Sequence, residues 1–462
     1  MKTVKPSCVV INHLFLLKIS IAIFLGREIM VSQSKDEKIV QIKKKLKQKM
    51  IKSHDLERII FKDVFGEKST AWQETLFISS EIRRSLAEEN YTSKLTSIGK
   101  HYTSVSKQNI TGIELQIGGI AIPLGLTDSI IIHGDHIDGS VPLPLSSNEA
   151  ALVAGMNRGI KIINESGGIR SIICYDGMTR APVIECPSID YARRLKNDLE
   201  TNSSLFQELK MVAEKSARVS KLKDLQVFQQ SKFLWLRFVF QTGDAMGMNS
   251  ATRYSADAIE YLQTKYPDIN LIALSGNMCT DKKSTHINIL LNRGKHVETE
   301  IEIPANILSS IRPHISPRII ERLNFIKNWM GSSLSGTIAG FNANAGNTVA
   351  ALFAATGQDL AQVTESSSCF VYAEDLGDSL YFGVSLPSLE VATVGGGTET
   401  PTTYEALQLL KCEGHGTNPG ENALKLAEIM GAAVTAQELN LLITLASGLD
   451  LAEAHIRMAR EK

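Results

Sequence analysis

At about Gly112 the sequence changes character, and that change limits the folds open to it. Before it, residues 34–90 read as helical: Ser34-x-x-Glu37 forms a capping box, and Ile39, Ile42, Leu46 and Met50 make an apolar stripe among lysines. After it come short apolar runs punctuated by glycine. Residues 113–126, 129–133, 139–145 and 169–174 read as strands, and 147–160 as a helix. Residues 184–272 read as a separate unit, with helices at 191–197 and 204–220, a strand at 233–240 and a glycine turn opening a helix to about residue 265. Beyond it, 296–304 alternates as a half-exposed strand, 317–329 is helical, 340–355 is rich in small residues, 381–385 is a strand and 422–462 is helical. The expectation is an α/β (α+β) chain in five segments: an apolar leader (1–33), a helical N-terminal part (34–104), a large domain (105–183 and 273–462) and a small domain inserted at 184–272.

A chain of 462 residues can hold two or three domains and a large core. Its 49 basic and 49 acidic residues cancel, so no overall nucleic-acid footprint is expected. The lysines of 43–52 read as a solvated helix face. Six scattered cysteines without a CxxC pair argue against a zinc site or disulfide framework and suit a reducing cytoplasm. Ten histidines show no HExxH spacing, so no metal is implied. Residues 8–25 are mostly apolar but fall short of a membrane span and contain Asn12, His13 and Lys18. A central lysine costs roughly 2.5–3.5 kcal/mol on insertion. The leader is therefore expected to be a non-inserted tail, or sequence upstream of a start at Met30, with a single membrane anchor as the alternative.

The chemistry concentrates in Leu274-Ser-Gly-Asn-Met-Cys-Thr-Asp-Lys-Lys283. An apolar run at 269–274 reads as a buried strand, and Ser275-Gly276-Asn277 turns it. A second run at 287–291 reads as another core strand, so Asp281, Lys282 and Lys283 are held rather than dissolved. An ammonium fixed beside a carboxylate can stabilise an oxyanion. Glu149, at an expected helix start, suits either the helix dipole or acid–base work. Asp176-Gly-Met-Thr-Arg180 reads as a turn whose guanidinium suits bidentate carboxylate binding. Gly243-Asp244-Ala245-Met246-Gly247-Met248-Asn249 is neither a GxGxxG nor a Walker loop, yet a glycine turn entering a helix can cradle a pyrophosphate. Asp359, in Gly-Gln-Asp, could cap a neighbouring helix, and His455 alone would ordinarily be structural or solvated.

Together these motifs resemble class I 3-hydroxy-3-methylglutaryl-CoA reductases over residues 105–455, in the family's order. Ser-Gly-Asn-x-Cys-Thr-Asp-Lys-Lys is similar to the family's catalytic loop, Pro144 to Gly159 to its glutamate segment, and Asp-Ala-Met-Gly-Met-Asn to its nicotinamide-cofactor motif. The resemblance implies Glu149, Lys282, Asp359 and His455 as catalytic residues, with Asp359 linking Glu149 and Lys282 in one hydrogen-bonded group. It implies substrate contacts from Asn157, Arg158, Arg180, Ser275, Asp281, Lys283, Lys327 and Asn347. NADPH contacts follow for Arg218, Asp244, Met246, Gly247, Met248, Asn249, Val394, Gly395 and Gly396. It also implies a ferredoxin-like small cofactor domain, a homodimer within a homotetramer, and active sites formed between subunits. The implied reaction is the four-electron reduction of 3-hydroxy-3-methylglutaryl-CoA to mevalonate by two NADPH. The sequence departs from the family at Asn344 (a histidine), at Ile113 in the flap Gln108-Asn109-x-x-Gly112-Ile113 (a tyrosine), and at Ala217 and Val219 around Arg218. His455 falls one residue late and no serine follows it, so a phosphoserine switch is not expected. Two alternatives stand beside this reading: an NAD-dependent, degradative reductase and a catalytically silent homologue.

Overall fold

The structure is a computed structural model that describes residues 34–91, 113–200 and 203–448. The leader, residues 108–112 of the flap and His455 lie outside the described residues. Two compact units divide the chain.

The first unit is helical, with α1 (Lys35–Lys47), α2 (Leu56–Ile60) and α3 (Trp72–Tyr91). Both arms of the Ser34–Glu37 capping box form, which satisfies two otherwise orphaned N–H groups. Ile42, Leu56, Ile60, Val64 and Ile82 make its core. The buried Arg83 pairs with Glu57 at 2.6 Å.

The second unit is built on one mixed sheet. Its strands are β1 (Leu124–Gly134), β2 (Asp138–Ser146), β3 (Ile169–Arg180), β4 (Val183–Glu185), β5 (Lys221–Gln230), β6 (Phe233–Gln241), β7 (Asn270–Ala273), β8 (Gly294–Pro304), β9 (Gly340–Phe341), β10 (Cys369–Asp375) and β11 (Ser379–Leu389). The order is β7-β4-β6-β3-β8-β11-β10-β9; β1 pairs with β3 and β2, and β5 with β6. The helices of six or more residues are α4 (Leu152–Glu165), α5 (Ile189–Asp198), α6 (Ser204–Glu214), α7 (Met248–Lys265), α8 (His286–Leu291), α9 (Ala305–Ile311), α10 (Pro317–Asn324), α11 (Ala345–Thr356), α12 (Pro401–Leu409) and α13 (Glu421–Ala446). A π-turn, Phe325–Gly331, continues α10.

Helix α13 is apolar and long enough to span a membrane, but 83% of its most apolar window is buried, so it is the central core helix. Its tight packing against α4 depends on Gly159, where a Cβ would overlap the Ala436 carbonyl. Between β4 and β7 the chain builds a sheet edge ordered β7-β4-β6-β5, every pair antiparallel. That is the ferredoxin-like order, and α5, α6 and α7 cover it over a separate core that includes Phe206, Leu209, Leu236, Phe238 and Leu262.

Local expectations fail at several points. Residues 113–123 form no strand, and β1 begins at Leu124 with a bulge between Leu126 and Ser129. Helix α4 starts at Leu152, because the Ser147 hydroxyl accepts the Glu149 N–H in a local turn and Ala151 is left-handed, φ 70°. The apolar run before the catalytic-type loop is the edge strand β7, with Ile272 55% exposed, rather than a buried strand. The run at 287–291 is the short helix α8; four apolar residues around Asn288 carry no periodicity that separates strand from helix.

Candidate functional site

The end of β3 carries the Asp176–Arg180 motif as strand rather than turn. Asp176 accepts from the buried Lys295 at 3.2 Å. Arg180 is 8% exposed. One of its Nη atoms lies 3.1 Å from Met248 Sδ and the other 3.8 Å from Cys279 Sγ, while its Nε has no partner. Among the described residues no carboxylate pairs with it. A buried guanidinium without a counter-ion is costly, which is the arrangement expected of a site that receives an anion.

Beside it, the loop from β7 to α8 presents Ser275, Asp281, Lys282 and Lys283. Three side chains, Arg237 and Thr179 buried and Trp235 half-buried, grip its backbone: Trp235 Nε1 donates to Gly276 O at 2.8 Å, Arg237 Nε to Met278 O at 3.0 Å and Thr179 Oγ1 to Cys279 O at 3.0 Å. Burial pushes the Cys279 thiol up, but the Ser275 hydroxyl, the Asp281 backbone, Arg180 and Arg293 outweigh it and hold it below its ordinary range.

A cleft of about 470 Å³ opens in front of this loop. Ala245 to Ser250 line one wall, Gly357, Gln358, Asp359 and Gln362 another, and Ala392 with Val394 to Thr398 a third, with Lys282 reaching in. Gly357 and Gly397 meet backbone to backbone, too close for a Cβ at either, so the Gly-Gln-Asp turn sits directly on the triple-glycine loop. Gly395 and Gly396 hold φ of 80° and 57°, and the space a side chain would occupy there is open. That bare backbone is the kind of cradle a flat ring or a phosphate can approach closely. Arg218 is exposed one residue before Val219, whose side chain packs against the Gly243 turn.

Asp244 has a different place from the one its motif suggests. Its carboxylate turns away from the cleft and accepts N–H groups from Gly416, Gly420, Asn422 and Ala423 at 3.0–3.2 Å, at the start of α13. It therefore ties the glycine turn to the core helix.

Apart from Asp359 in the cleft wall, the remaining described candidates make a second group outside the cleft. Lys327 is half-buried in the π-turn, and Asn347 is exposed on the first turn of α11. Lys327 lies near Glu438 of α13, which is fully buried and accepts from Ala343 N–H at 2.6 Å and Asn344 N–H at 2.7 Å. Asn157 is occupied by the Asp128 N–H at 2.9 Å, and Arg158 donates to Thr444 at 3.1 Å. Glu149 is exposed in its loop. Asp359 accepts from Ala361 N–H at 3.0 Å as a helix cap. Among the described residues no hydrogen bond joins Glu149, Asp359 and Lys282, so within one chain the expected linked group does not form.

Sequence reasoning missed the buried charges beneath both groups. Arg293 and Glu365 are wholly buried and Glu390 nearly so; Arg293 pairs with Glu365 at 2.8 Å and also with Glu390 and Asp281. Nothing in the local pattern marks them: Glu365 stands among Thr364, Ser366 and Ser367, and Arg293 between Asn292 and Gly294, settings that read as surface.

Burial pushes the Glu438 carboxyl up to about 7 against the pull of the Asn344 and Ala343 N–H groups and Lys327. A carboxyl held above its ordinary value adds stability that is complete below about pH 4.5 and lost as the pH rises through about 7. The stability difference between the protein and its Glu438→Gln variant should therefore change by something on the order of 3 kcal/mol over that window. Denaturant titrations at several pH values check this; a pH-independent difference would contradict it.

Comparisons with known proteins agree in one direction. The family model described as hydroxymethylglutaryl-coenzyme A reductase matches residues 79–460. The 3-hydroxy-3-methylglutaryl-coenzyme A reductase of Pyrococcus abyssi is 41% identical over 413 residues, 89% of this chain and 97% of that protein. That of Aeropyrum pernix is 43% identical over 380 residues, 82% and 89% respectively. A solved class II reductase from Streptococcus pneumoniae, bound to NADPH in open conformations, is similar in fold, with TM-score 0.56 and 18% identity over 79% of this chain and 86% of that one.

Proposed function

Because the chain belongs to the hydroxymethylglutaryl-coenzyme A reductase family of oxidoreductases, we propose that it is a class I-type enzyme. In this reading it reduces 3-hydroxy-3-methylglutaryl-CoA to mevalonate and CoA with NADPH, in active sites completed by a second copy of the chain. The cleft carries this reading: it brings Lys282 and Asp359 to the glycine loops at 245–250 and 394–398. Met246, Gly247, Met248, Asn249, Val394, Gly395 and Gly396 would hold the cofactor, with Arg218 toward a 2′-phosphate. The bound cofactor supplies hydride for both reductions.

The chain's own groups do the rest. Lys282 stabilises the oxyanion that develops as the thioester carbonyl is attacked. Arg180, with Ser275, Asp281 and Lys283 around it, receives the substrate carboxylate. His455 protonates the departing CoA thiolate as the hemithioacetal collapses to the aldehyde. Glu149, brought to the cleft by a second copy of the chain, protonates the alkoxide formed in the second reduction.

The split of the candidates supports a shared site. Lys282, Asp359 and the glycine loops line the cleft, and the buried Arg180 sits behind its wall against Met248. Glu149, Lys327 and Asn347 stand outside it in the same chain, exposed or half-buried. In a symmetric dimer one copy's second group can face the other's cleft. We read the enzyme as cytoplasmic, since the described cysteines are all free thiols.

Loss of reduced-cofactor absorbance with 3-hydroxy-3-methylglutaryl-CoA tests the cofactor. NADPH should be oxidised with a kcat/KM at least about tenfold above NADH, and Arg218→Ala should reduce that preference. Turnover with NADH alone would move the chain to the degradative reading.

A further inference from the structure

The loop bearing Lys282 is held in an unusual shape. Asn277, Thr280 and Lys282 have φ of 63°, 57° and 60°, in the left-handed region that side chains disfavour. Such backbone persists only where the surroundings over-determine it. The grips from Trp235, Arg237 and Thr179 end at Cys279. Past that point the loop is held from the opposite side. Thr280 Oγ1 donates to Asn288 Oδ1, Gln362 Nε2 donates to Asp281 Oδ1 at 2.9 Å, and the Lys282 N–H donates to Glu365 Oε1 at 2.7 Å.

That last bond is the one that reaches Lys282 itself. The accepting oxygen also receives Arg293 Nη1 at 2.8 Å, both side chains are wholly buried, and Glu365 Oε2 has no partner. A carboxylate turned so that one oxygen takes both donors while the other goes unsatisfied is aimed at its donors by the packing around it. The Lys282 side chain is exposed and lines the cleft. Among the described residues no hydrogen bond holds this side chain, and the bond to Glu365 holds its backbone.

We propose that Glu365, oriented by Arg293, is a positioning residue for the reduction: it fixes the Lys282 backbone and so sets where the ammonium meets the developing oxyanion. The proposal rests on the reading of Lys282 given above. Misplacement of a catalytic group by about 1 Å can cost on the order of 100-fold in rate.

The test compares Glu365→Gln with Glu365→Met in the full chain. Both remove the charge facing Arg293, so any loss from the ion pair is common to the two. Gln keeps an acceptor for the Lys282 N–H; Met, of similar length, has none. The expected result is a kcat for Met about 10–100-fold below that of Gln, with KM for NADPH within about twofold. Equal kcat values would overturn the proposal. Hydrogen exchange at the Lys282 amide gives a readout independent of activity. It should be protected in the unsubstituted protein and in Glu365→Gln and lose protection in Glu365→Met. Exchange at the unprotected rate in the unsubstituted protein would overturn the proposal even if neither variant folds. A Lys282→Ala variant with full activity would instead sink the catalytic reading of Lys282 and leave the exchange result standing.

Discussion

Lys282→Ala is expected to lower kcat by about 10²–10³-fold, the range seen when one preorganised oxyanion donor is removed. The melting temperature should not move. The side chain is exposed and makes no described hydrogen bond, so its removal takes nothing from the core. KM for the cofactor should change little, because the glycine loops that would hold it are untouched. A loss in KM alone, at unchanged kcat, would make Lys282 a binding residue and not the oxyanion stabiliser.

Asp244→Ala should act on stability instead. Its carboxylate accepts four N–H groups at the start of α13, and the residue is 4% exposed. Hydrogen bonds to a charged group contribute about 1.5–3 kcal/mol each, and buried donors left unpaired add a further cost. Four lost together should destabilise the protein by at least about 4 kcal/mol, even after neighbouring groups relax. Asp244→Asn, which keeps one acceptor oxygen, should lose about half of that. Chemical denaturation measures both, and a shift under about 1 kcal/mol for the alanine variant would show that the carboxylate does not anchor the helix.

The contrast between these two residues shows what the sequence could reveal. Both sit in motifs quoted as functional, and composition treats them alike. Lys282 reaches the cleft because the loop before it is pinned by Trp235, Arg237 and Thr179, which are distant in sequence. Asp244 faces away because its partners arrive some 170 residues later. Long-range partners of this kind leave no local trace, and the same is true of Arg293, Glu365 and Glu438. What was legible was local: the capping box at Ser34, the strand at 233–240, the helix after Gly247 and the small residues of α11. The errors fell where local signals are silent. An apolar run does not say whether it lies at a sheet edge, as β7 does, and a five-residue stretch with four apolar side chains does not say whether it winds, as α8 does. Glu149 was misplaced by three residues because Ser147 closes a turn ahead of the helix.

That displacement bears on the central claim, which is that one active site draws on two chains. Glu149 and Lys282 do not meet within one chain among the described residues. The direct test mixes two inactive variants, Glu149→Gln and Lys282→Ala, by co-expression or by refolding together. If each site takes Lys282 from one copy and Glu149 from the other, a mixed dimer carries one intact site and one doubly defective site. An equal mixture should then regain about a quarter of the unsubstituted activity. Mixed dimers that form, as shown by mass, yet remain as inactive as either parent would contradict the account and return both residues to a single chain.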